Sequence, residues 1–519
     1  MKKIKYYGLI LMLSFAGFAC SDYLDVRPEN QMLLEEFWQE EADVEATVMA
    51  CYRMMQEDAF MRRVIIWGEL RSDNIIAGGG AKDPERQIDL VNILATNENC
   101  EWKIFYTIIN YCNTILKYAP EVRDRDPNFT FADLQAKESE VLAIRAFCYF
   151  YLVRTFRDIP WIEEATVSDE QRLEVPQSPP DVVLERITND LLHAETWAVT
   201  DYVSVREAKG RMGQDAIRAL LADIYLWRKN YEKCIEYCDK LINALTVPKN
   251  YLGEILETPK YEFIENDMSS YMIFYIKNAT ESIFELQFTE EKYNDAVSEF
   301  YGNASNSKGQ FIVTARHMKE VTLFPLIDKR RTHFIDHGVS ENSDYTILKY
   351  VGYNLFGDIS SYSQTTPNWI FYRITDIMLM KAEALAQLNR SEDDLKEALY
   401  LVNKTYKRAN ITLTGSDSLT FEMYGNQAAM EKLVLLERQR ELMFEGKRWY
   451  DLVRHAERNG STEVLVDHVL TKYESNVSTI SSKLAVINAL YFPIHANELK
   501  VNPLLEQNPY YKTSSNIEK

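Results

Sequence analysis

The chain is 519 residues long, 46% hydrophobic and 26% charged, and its 58 lysines and arginines face 78 aspartates and glutamates, a formal charge of −20. That balance belongs to a folded protein rather than a disordered or fibrous one, and the length implies about three domains of roughly 150 residues or one extended helical array. It excludes nucleic acid as a partner, because a phosphate-binding surface needs clustered Lys and Arg to release counterions, and seven cysteines are too few for a disulfide scaffold.

Residues 1–19 hold Lys2, Lys3 and Lys5, no acidic residue, and an apolar run from Gly8 to Ala19 too short to span a bilayer, which is the pattern of a signal peptide. Its end, Gly17-Phe18-Ala19-Cys20, resembles a bacterial lipoprotein cleavage box, with Gly17 where Leu, Val or Ile is usual. Cys20 is expected to carry the lipid, the other reading being plain secretory cleavage. Losing the three leader lysines takes the charge from −20 to −23. No other apolar stretch nears spanning length, so a mature chain held at a membrane is held by its lipid.

Segment 101–118 places Ile104, Ile108, Tyr111, Cys112 and Ile115 on one helical face. In 137–156, Val141, Ile144, Cys148, Tyr151 and Leu152 form a stripe while Ala143, Phe147 and Phe150 make the opposite side apolar. This helix is therefore expected to be covered on both sides, until Asp158 and Pro160 stop it. Segment 215–242 reads as a helical hairpin, with Ile217, Leu220, Leu221 and Ile224, a turn at Asn230, then Cys234, Ile235, Cys238, Leu241 and Ile242. Small Ala222 and Cys234 with Tyr225 between them resemble a tetratricopeptide unit.

A second hairpin carries Ile374, Ile377, Met378, Ala382 and Leu385, then Leu395, Ala398, Leu399 and Val402. It lies about 160 residues on, far beyond the roughly 34-residue period of a tandem array, so the repeats are interrupted. The interrupting stretch, 243–370, is rich in Tyr, Asn, Ser and Gly, with short strand-like runs such as Ile283–Phe288. It is expected to form long loops, and loops of that length are usually functional. The last expected helical stretch, 429–457, mixes charges with Leu433, Leu436, Leu442, Phe444, Trp449 and Leu452, with Gly446 letting it bend. After it, Tyr491-Phe492-Pro493 and two Asn-Pro steps must be extended or turned. The fold class expected is mostly α: interrupted tetratricopeptide-like hairpins with a long irregular insertion of loops and short strands.

Several blocks in order resemble the SusD/RagB family of surface nutrient-binding lipoproteins: Cys20 to Pro28, Arg71-Ser72-Asp73-Asn74, Ile144 to Phe156 with Asp158-Ile159-Pro160, and Tyr372 to Ala384. Most specific are Glu437 to Leu452 and the tail Tyr491-Phe492-Pro493-Ile494 with Asn502-Pro503 and Gln507-Asn508-Pro509. His495 stands where the family usually has a second proline, and Tyr510 where it usually has glycine. The resemblance covers nearly the whole mature chain. It implies a signal peptide at 1–19, a SusD-like helical part at 20–242, the insertion at 243–370 on the ligand-binding side, and a SusD-like C-terminal part at 371–519. It further implies a non-catalytic binder outside the outer membrane, acting as a lid over a SusC-type TonB-dependent transporter, with the tetratricopeptide side against that partner.

Among groups that could do chemistry, Glu437 and Glu441, and Glu441 and Glu445, stand one turn apart with Arg440, Arg448, Asp451 and Arg454 interleaved. A structural ion-pair lattice is expected there rather than a general acid/base pair. His333 and His337, with Asp336, would face one way on a helix but have no third ligand in a recognisable motif, so no metal is expected. Gly78-Gly79-Gly80-Ala81-Lys82 lacks the spacing and following hydroxyl of a phosphate loop and reads as a flexible loop. There is no Gly-x-Ser-x-Gly elbow. Cys234 and Cys238 read as buried thiols, while Cys51, Cys100, Cys112 and Cys148 could pair in combinations the sequence leaves open.

Trp102, Trp161, Trp227 and Trp449 adjoin helical stripes or family blocks and are assigned to packing. The candidates for ligand contact, expected to be exposed by their loop context, are Asp73, Asn74, Arg86, Asn99, Tyr301, Asn303, Tyr353, Phe356 and Tyr362, because sugars need aromatic faces and a few convergent polar groups. The reading is a lipid-anchored surface protein that binds an oligosaccharide or comparable nutrient, with no catalytic residue and no cofactor. A charge of −23 disfavours polyanionic ligands at long range unless a local basic loop counters it. A secreted hydrolase would instead need two carboxylates about 5–9.5 Å apart in a cleft. A pure assembly adaptor would show no concave aromatic site in the insertion.

Overall fold

The apolar stripes become one stack of helices in the computed structural model, which describes residues 37–512 apart from 169–170, 172–173, 247–256, 266–267, 303–308, 315–322, 337–344, 353–364 and 413–414. The principal helices are α1 (Glu41–Met55), α2 (Asp58–Ile65), α3 (Lys103–Arg125), α4 (Phe131–Phe156), α5 (Pro180–Trp197) and α6 (Gln214–Trp227). They continue as α7 (Tyr231–Ile242), α8 (Ile374–Leu388), α9 (Glu392–Ala409), α10 (Gln427–Leu442) and α11 (Arg448–Asn459). From α3 to α10 each helix packs on the one before it, and α1 lies on α3. The interruption is thus one of sequence only, because α7 packs directly on α8 although residues 243–373 lie between them.

Helix α4 shows why the stack holds. Thr130 and Asp133 form a reciprocal capping box at its start. Every residue from Ser139 to Phe156 is buried, as a helix apolar on both sides requires when α3 and α5 flank it. Its end comes at Arg157, whose φ of 73° leaves the helical region. Trp102, Trp161 and Trp449 are buried in the core and Trp227 packs against it.

Within the insertion, the short strands expected among its loops are present, the run at Ile283 among them. The strands are β1 (Ile76–Ala77), β2 (Ser282–Leu286), β3 (Phe311–Ile312) and β4 (Trp369–Arg373). β2 and β4 are entirely buried and run antiparallel, from Trp369 opposite Leu286 to Arg373 opposite Ser282. The chain leaves and returns at one place, and Arg373 passes directly into α8. β1 pairs with β3, which fastens the loop after Arg71 to the insertion.

The expectation that helix ends near 457 needs correcting. Short helices follow at Glu463–Leu470, Val477–Leu484 and Ala496–Val501, each too brief for a 3.6-residue stripe to stand out over a window of about 11–18 residues. The bend at Gly446 is present: it separates α10 from α11 with φ at +70°. Its carbonyl lies against Gly68, in the single π-helical turn Ile66–Leu70 that extends α2. A Cβ on Gly68 would stand 1.8 Å from the Gly446 oxygen, so two backbones meet there with no room for a side chain. Gly68→Ala should therefore lower unfolding free energy by about 3 kcal/mol or more, whereas Gly79→Ala, with nothing within 4 Å of the added carbon, should stay within about 0.5 kcal/mol. Equal urea midpoints for the two variants would contradict this contact.

Candidate ligand-binding site

The charged helix is turned inward. Glu441 on α10 is buried and receives Arg330 at 3.0 Å, Arg373 at 2.9 Å and Arg408 at 2.6 Å. Burial alone would raise its carboxyl, but the three guanidinium charges hold it well below the usual range. Glu445 pairs with Lys349 at 2.6 Å and Arg373 at 2.7 Å, and Glu437 with Arg330 at 2.7 Å. The lattice expected from alternating signs along the helix exists, but these main partners come from the insertion, β4 and α9 rather than from neighbouring turns. With their carboxyls held below the ordinary range, Glu441 and Glu445 stay ionised and are not poised as general acids.

A second buried group closes on the loop after α2. Arg448 donates two hydrogen bonds of 2.8 Å to Asp73, and Gln439 reaches Asp73 at 2.9 Å and Asn74 at 3.0 Å. Asn74 in turn donates to Glu69 at 2.7 Å, and Glu69 accepts the backbone N–H groups of Phe444 at 2.9 Å and Gly446 at 3.1 Å. Asp73 and Asn74, expected to be exposed, are therefore buried, because their polar groups pair with the charged helices rather than with water. Asn99 is also buried: its N–H is capped by Asn97 and its carbonyl accepts from Trp67. Tyr301 is fully buried, with its hydroxyl donating to the Phe444 carbonyl at 3.0 Å. Asn303, Tyr353, Phe356, Tyr362 and the lipidation candidate Cys20 lie outside the described residues.

Arg86 is the described candidate that stays near the surface, and it shapes a loop. From the short helix Asp83–Asp89 it donates to the carbonyls of Gly78 at 2.8 Å, Gly79 at 3.1 Å and Ala81 at 3.2 Å. The Gly78 N–H donates to Gln310 across the end of the β1–β3 pair at 2.8 Å. Behind this tip Glu299 meets Lys82 at 2.9 Å, the Gln310 amide at 2.6 Å and Arg62, which also binds Glu85 at 2.8 Å. Burial pushes the Glu299 carboxyl up, but Lys82, Arg62 and Gln310 outweigh it and hold it below its ordinary value. The result is a rim where the two regions singled out in the sequence meet. Gly79 and Gly80 are exposed at its tip, with a neutralised polar floor beneath. Lys82, Glu299 and Gln310 were not among the expected contacts, although the glycine run ending at Lys82 marked the place.

The histidine and cysteine expectations resolve simply. The helix carrying His333 spans Arg330–His333 and Asp336 lies in a following strand, so the two share no helical face, and His337 is outside the described residues. Cys51, Cys100, Cys112, Cys148, Cys234 and Cys238 are all buried free thiols.

Residues 336–511 match the sequence profile of the SusD family, and residues 22–226 match a profile described as starch-binding associating with outer membrane. The chain belongs to the SusD/RagB family. SusD-like protein P38 of Formosa agariphila is 25% identical over 98% of this chain and 100% of its own length, and SusD-like protein P2 of the same organism is 26% identical over 88% and 91%. A SusD superfamily protein from Bacteroides vulgatus superposes with a TM-score of 0.72 at 20% identity, covering 91% of this chain and 100% of that one. A SusD homolog from Bacteroides thetaiotaomicron gives 0.72 at 19%, covering 92% and 99%. The mostly helical fold is that of the SusD superfamily, a nutrient-binding family associated with the outer membrane.

Two outcomes follow from the buried charges. Glu441→Gln leaves three arginines short of a counter-charge and should cost about 3–5 kcal/mol of stability, read by urea unfolding, without changing ligand affinity in the folded variant. A loss of affinity at unchanged stability would contradict that assignment. Burial pushes the Glu69 carboxyl up to about 7, against the bonds from Asn74 and Phe444. Between about pH 4.5 and 7 the native state keeps this proton while the unfolded chain has lost it, so this group makes stability fall as pH rises, by roughly 2–3 kcal/mol. Asp376 is a group of opposite sign: burial would raise it, but Lys447 and Arg438 hold it at about 2, so its contribution fades as pH drops from about 4 towards 2. Glu69→Gln should flatten the pH 4.5–7 slope, and an unaltered slope would place the proton elsewhere.

Proposed function

We propose that this SusD-family protein is a cell-surface lipoprotein, anchored through Cys20 to the outer membrane, that captures an oligosaccharide without altering it. It then acts as a lid that delivers the ligand to a SusC-type TonB-dependent transporter. The observation that carries the non-catalytic part is the state of the rim carboxylates. Glu85 and Glu299 are both paired to Arg62; Glu299, paired also to Lys82, is held below its ordinary value and is not a raised-pKa acid of the kind a glycosidase uses. The glycine tip removes side chains where a flat sugar ring could approach the backbone.

Apolar grooves on the helical stack support the placement of the transporter. A groove of about 800 Å³ between α1 and α3, lined by Phe37, Trp38, Tyr111 and Val167, adjoins one of about 430 Å³ lined by Trp102, Tyr106, Val501 and Leu505. They touch at Asn110 and Thr166. Exposed apolar grooves of this kind mark protein contacts.

Two experiments test the reading. Titration calorimetry with an oligosaccharide panel should find a neutral ligand whose affinity falls about tenfold, 1.4 kcal/mol, in Lys82→Ala and Arg86→Ala; release of shortened sugar products by the wild type would refute a pure binder. Cys20→Ala should move the protein from the membrane to the soluble fraction, and membrane retention in cells lacking the transporter would refute the tether.

A further inference from the structure

On α9, Tyr400, Asn403, Lys404 and Lys407 recur at intervals of three and four, so they share one face of the helix. The other face, with Leu395, Ala398, Leu399 and Val402, is buried in the stack. Beside the outer face runs the segment carrying Phe263 and Glu265, and a cleft of about 280 Å³ opens between them, lined by Phe263, Glu265, Tyr400, Lys404, Lys407 and Arg408 among others. It is separate from the glycine rim and its residues take no part in it.

The walls are fixed while the binding groups are left free. Asn403 clamps Leu419 through both ends of its amide, accepting from the Leu419 N–H at 2.9 Å and donating to its carbonyl at 3.0 Å. The Arg408 guanidinium lies 4.3 Å over the Phe263 ring and spends its N–H groups inward on Glu281, Glu441 and the Ile264 carbonyl. Tyr400 by contrast leaves 60% of its surface in solvent. Lys404 stands 3.3 Å from Glu265 in an exposed pair, an arrangement that holds weakly. Lys407 is exposed and has no ion-pair or hydrogen-bond partner among the described residues. Two ammonium groups against one solvated carboxylate make this a locally cationic cleft on a chain of net charge −20. A solvent-exposed tyrosine ring, with the Lys404 ammonium 5.6 Å from its centroid and Lys407 beside it, matches one ligand chemistry: a flat apolar ring face carrying an anionic group.

We propose that this cleft is a second ligand site, which takes an acidic sugar unit with its ring against Tyr400 and its carboxylate or sulfate between Lys404 and Lys407. The proposal goes beyond neutral-sugar capture at the rim and does not depend on it. The long-range field of the chain repels anions, so the site selects a locally charged unit only once it is close, and binding weakens as salt rises.

The test uses the full-length protein and three probes of equal length: an oligogalacturonate, a sulfated galactan oligosaccharide and a neutral galactan oligosaccharide. At least one acidic probe should bind more tightly than the neutral one. The Lys404→Gln/Lys407→Gln double variant should lose tenfold or more of that affinity at unchanged melting temperature, and Tyr400→Ala a comparable share. Which acidic probe binds more tightly distinguishes carboxylate from sulfate. Lys82→Ala, which weakens the rim, should leave acidic binding intact, so failure of either site shows separately. Equal affinity for all three probes, full acidic affinity in the double variant, or no acidic binding at low ionic strength would each overturn the proposal.

Discussion

Three arginines converging on one buried glutamate set the architecture. Arg330 comes from the insertion, Arg373 from the strand that closes it, and Arg408 from the second hairpin, while Glu441 belongs to the helix that ends the stack. Removing such charges from water is expensive, and the arrangement is tolerable only because every charge meets its opposite at hydrogen-bond distance. That requirement couples four stretches of chain far apart in sequence. None can shift without leaving a buried charge unpaired, so Arg330 and Lys349 tie the insertion to the helices it interrupts.

The same logic passes from the charged helices to the rim. The turn between α10 and α11 must approach the backbone at Gly68, and Glu69 receives the N–H groups of that turn. Asp73 and Asn74 are then drawn under Arg448 and Gln439, which fixes where the chain emerges as β1 and the glycine loop. Arg86 curls the loop and Lys82 closes it against Glu299. The glycine tip is thus positioned from below by paired charges, and its openness comes from the missing side chains.

The helical hairpins were legible in the sequence because an apolar stripe belongs to each helix by itself. The double-sided stripe around Val141 and Phe147 even indicated that α4 is covered on both sides. What local reading could not supply was the identity of distant partners. Asp73 looks like a solvated loop residue until Arg448, 375 positions away, is beside it. Tyr301 looks like a loop aromatic offered to a sugar, yet its ring fills the space under Phe444. In both cases polarity and loop context pointed to the surface, and a long-range partner turned the residue inward. The glycine run was visible but carried no indication of Glu299 or Gln310, which reach it only through the β1–β3 pairing.

Electrostatics separate the structural charges from the functional ones. Glu437 and Glu441 of α10 and Glu445 of the turn after it are met by buried cations shared among them, so they contribute little to the outer field despite their density. The excess of acid over base must then reside on the surface, where it repels anions and keeps copies of the chain apart. Against that background, a cation with no ion-pair partner among the described residues stands out physically as well as by composition. Lys407 sits on the outer face of a helix whose inner-side Arg408 is fully committed to Glu281 and Glu441. The two adjacent residues carry the same charge, but one is consumed by the fold and the other faces solvent.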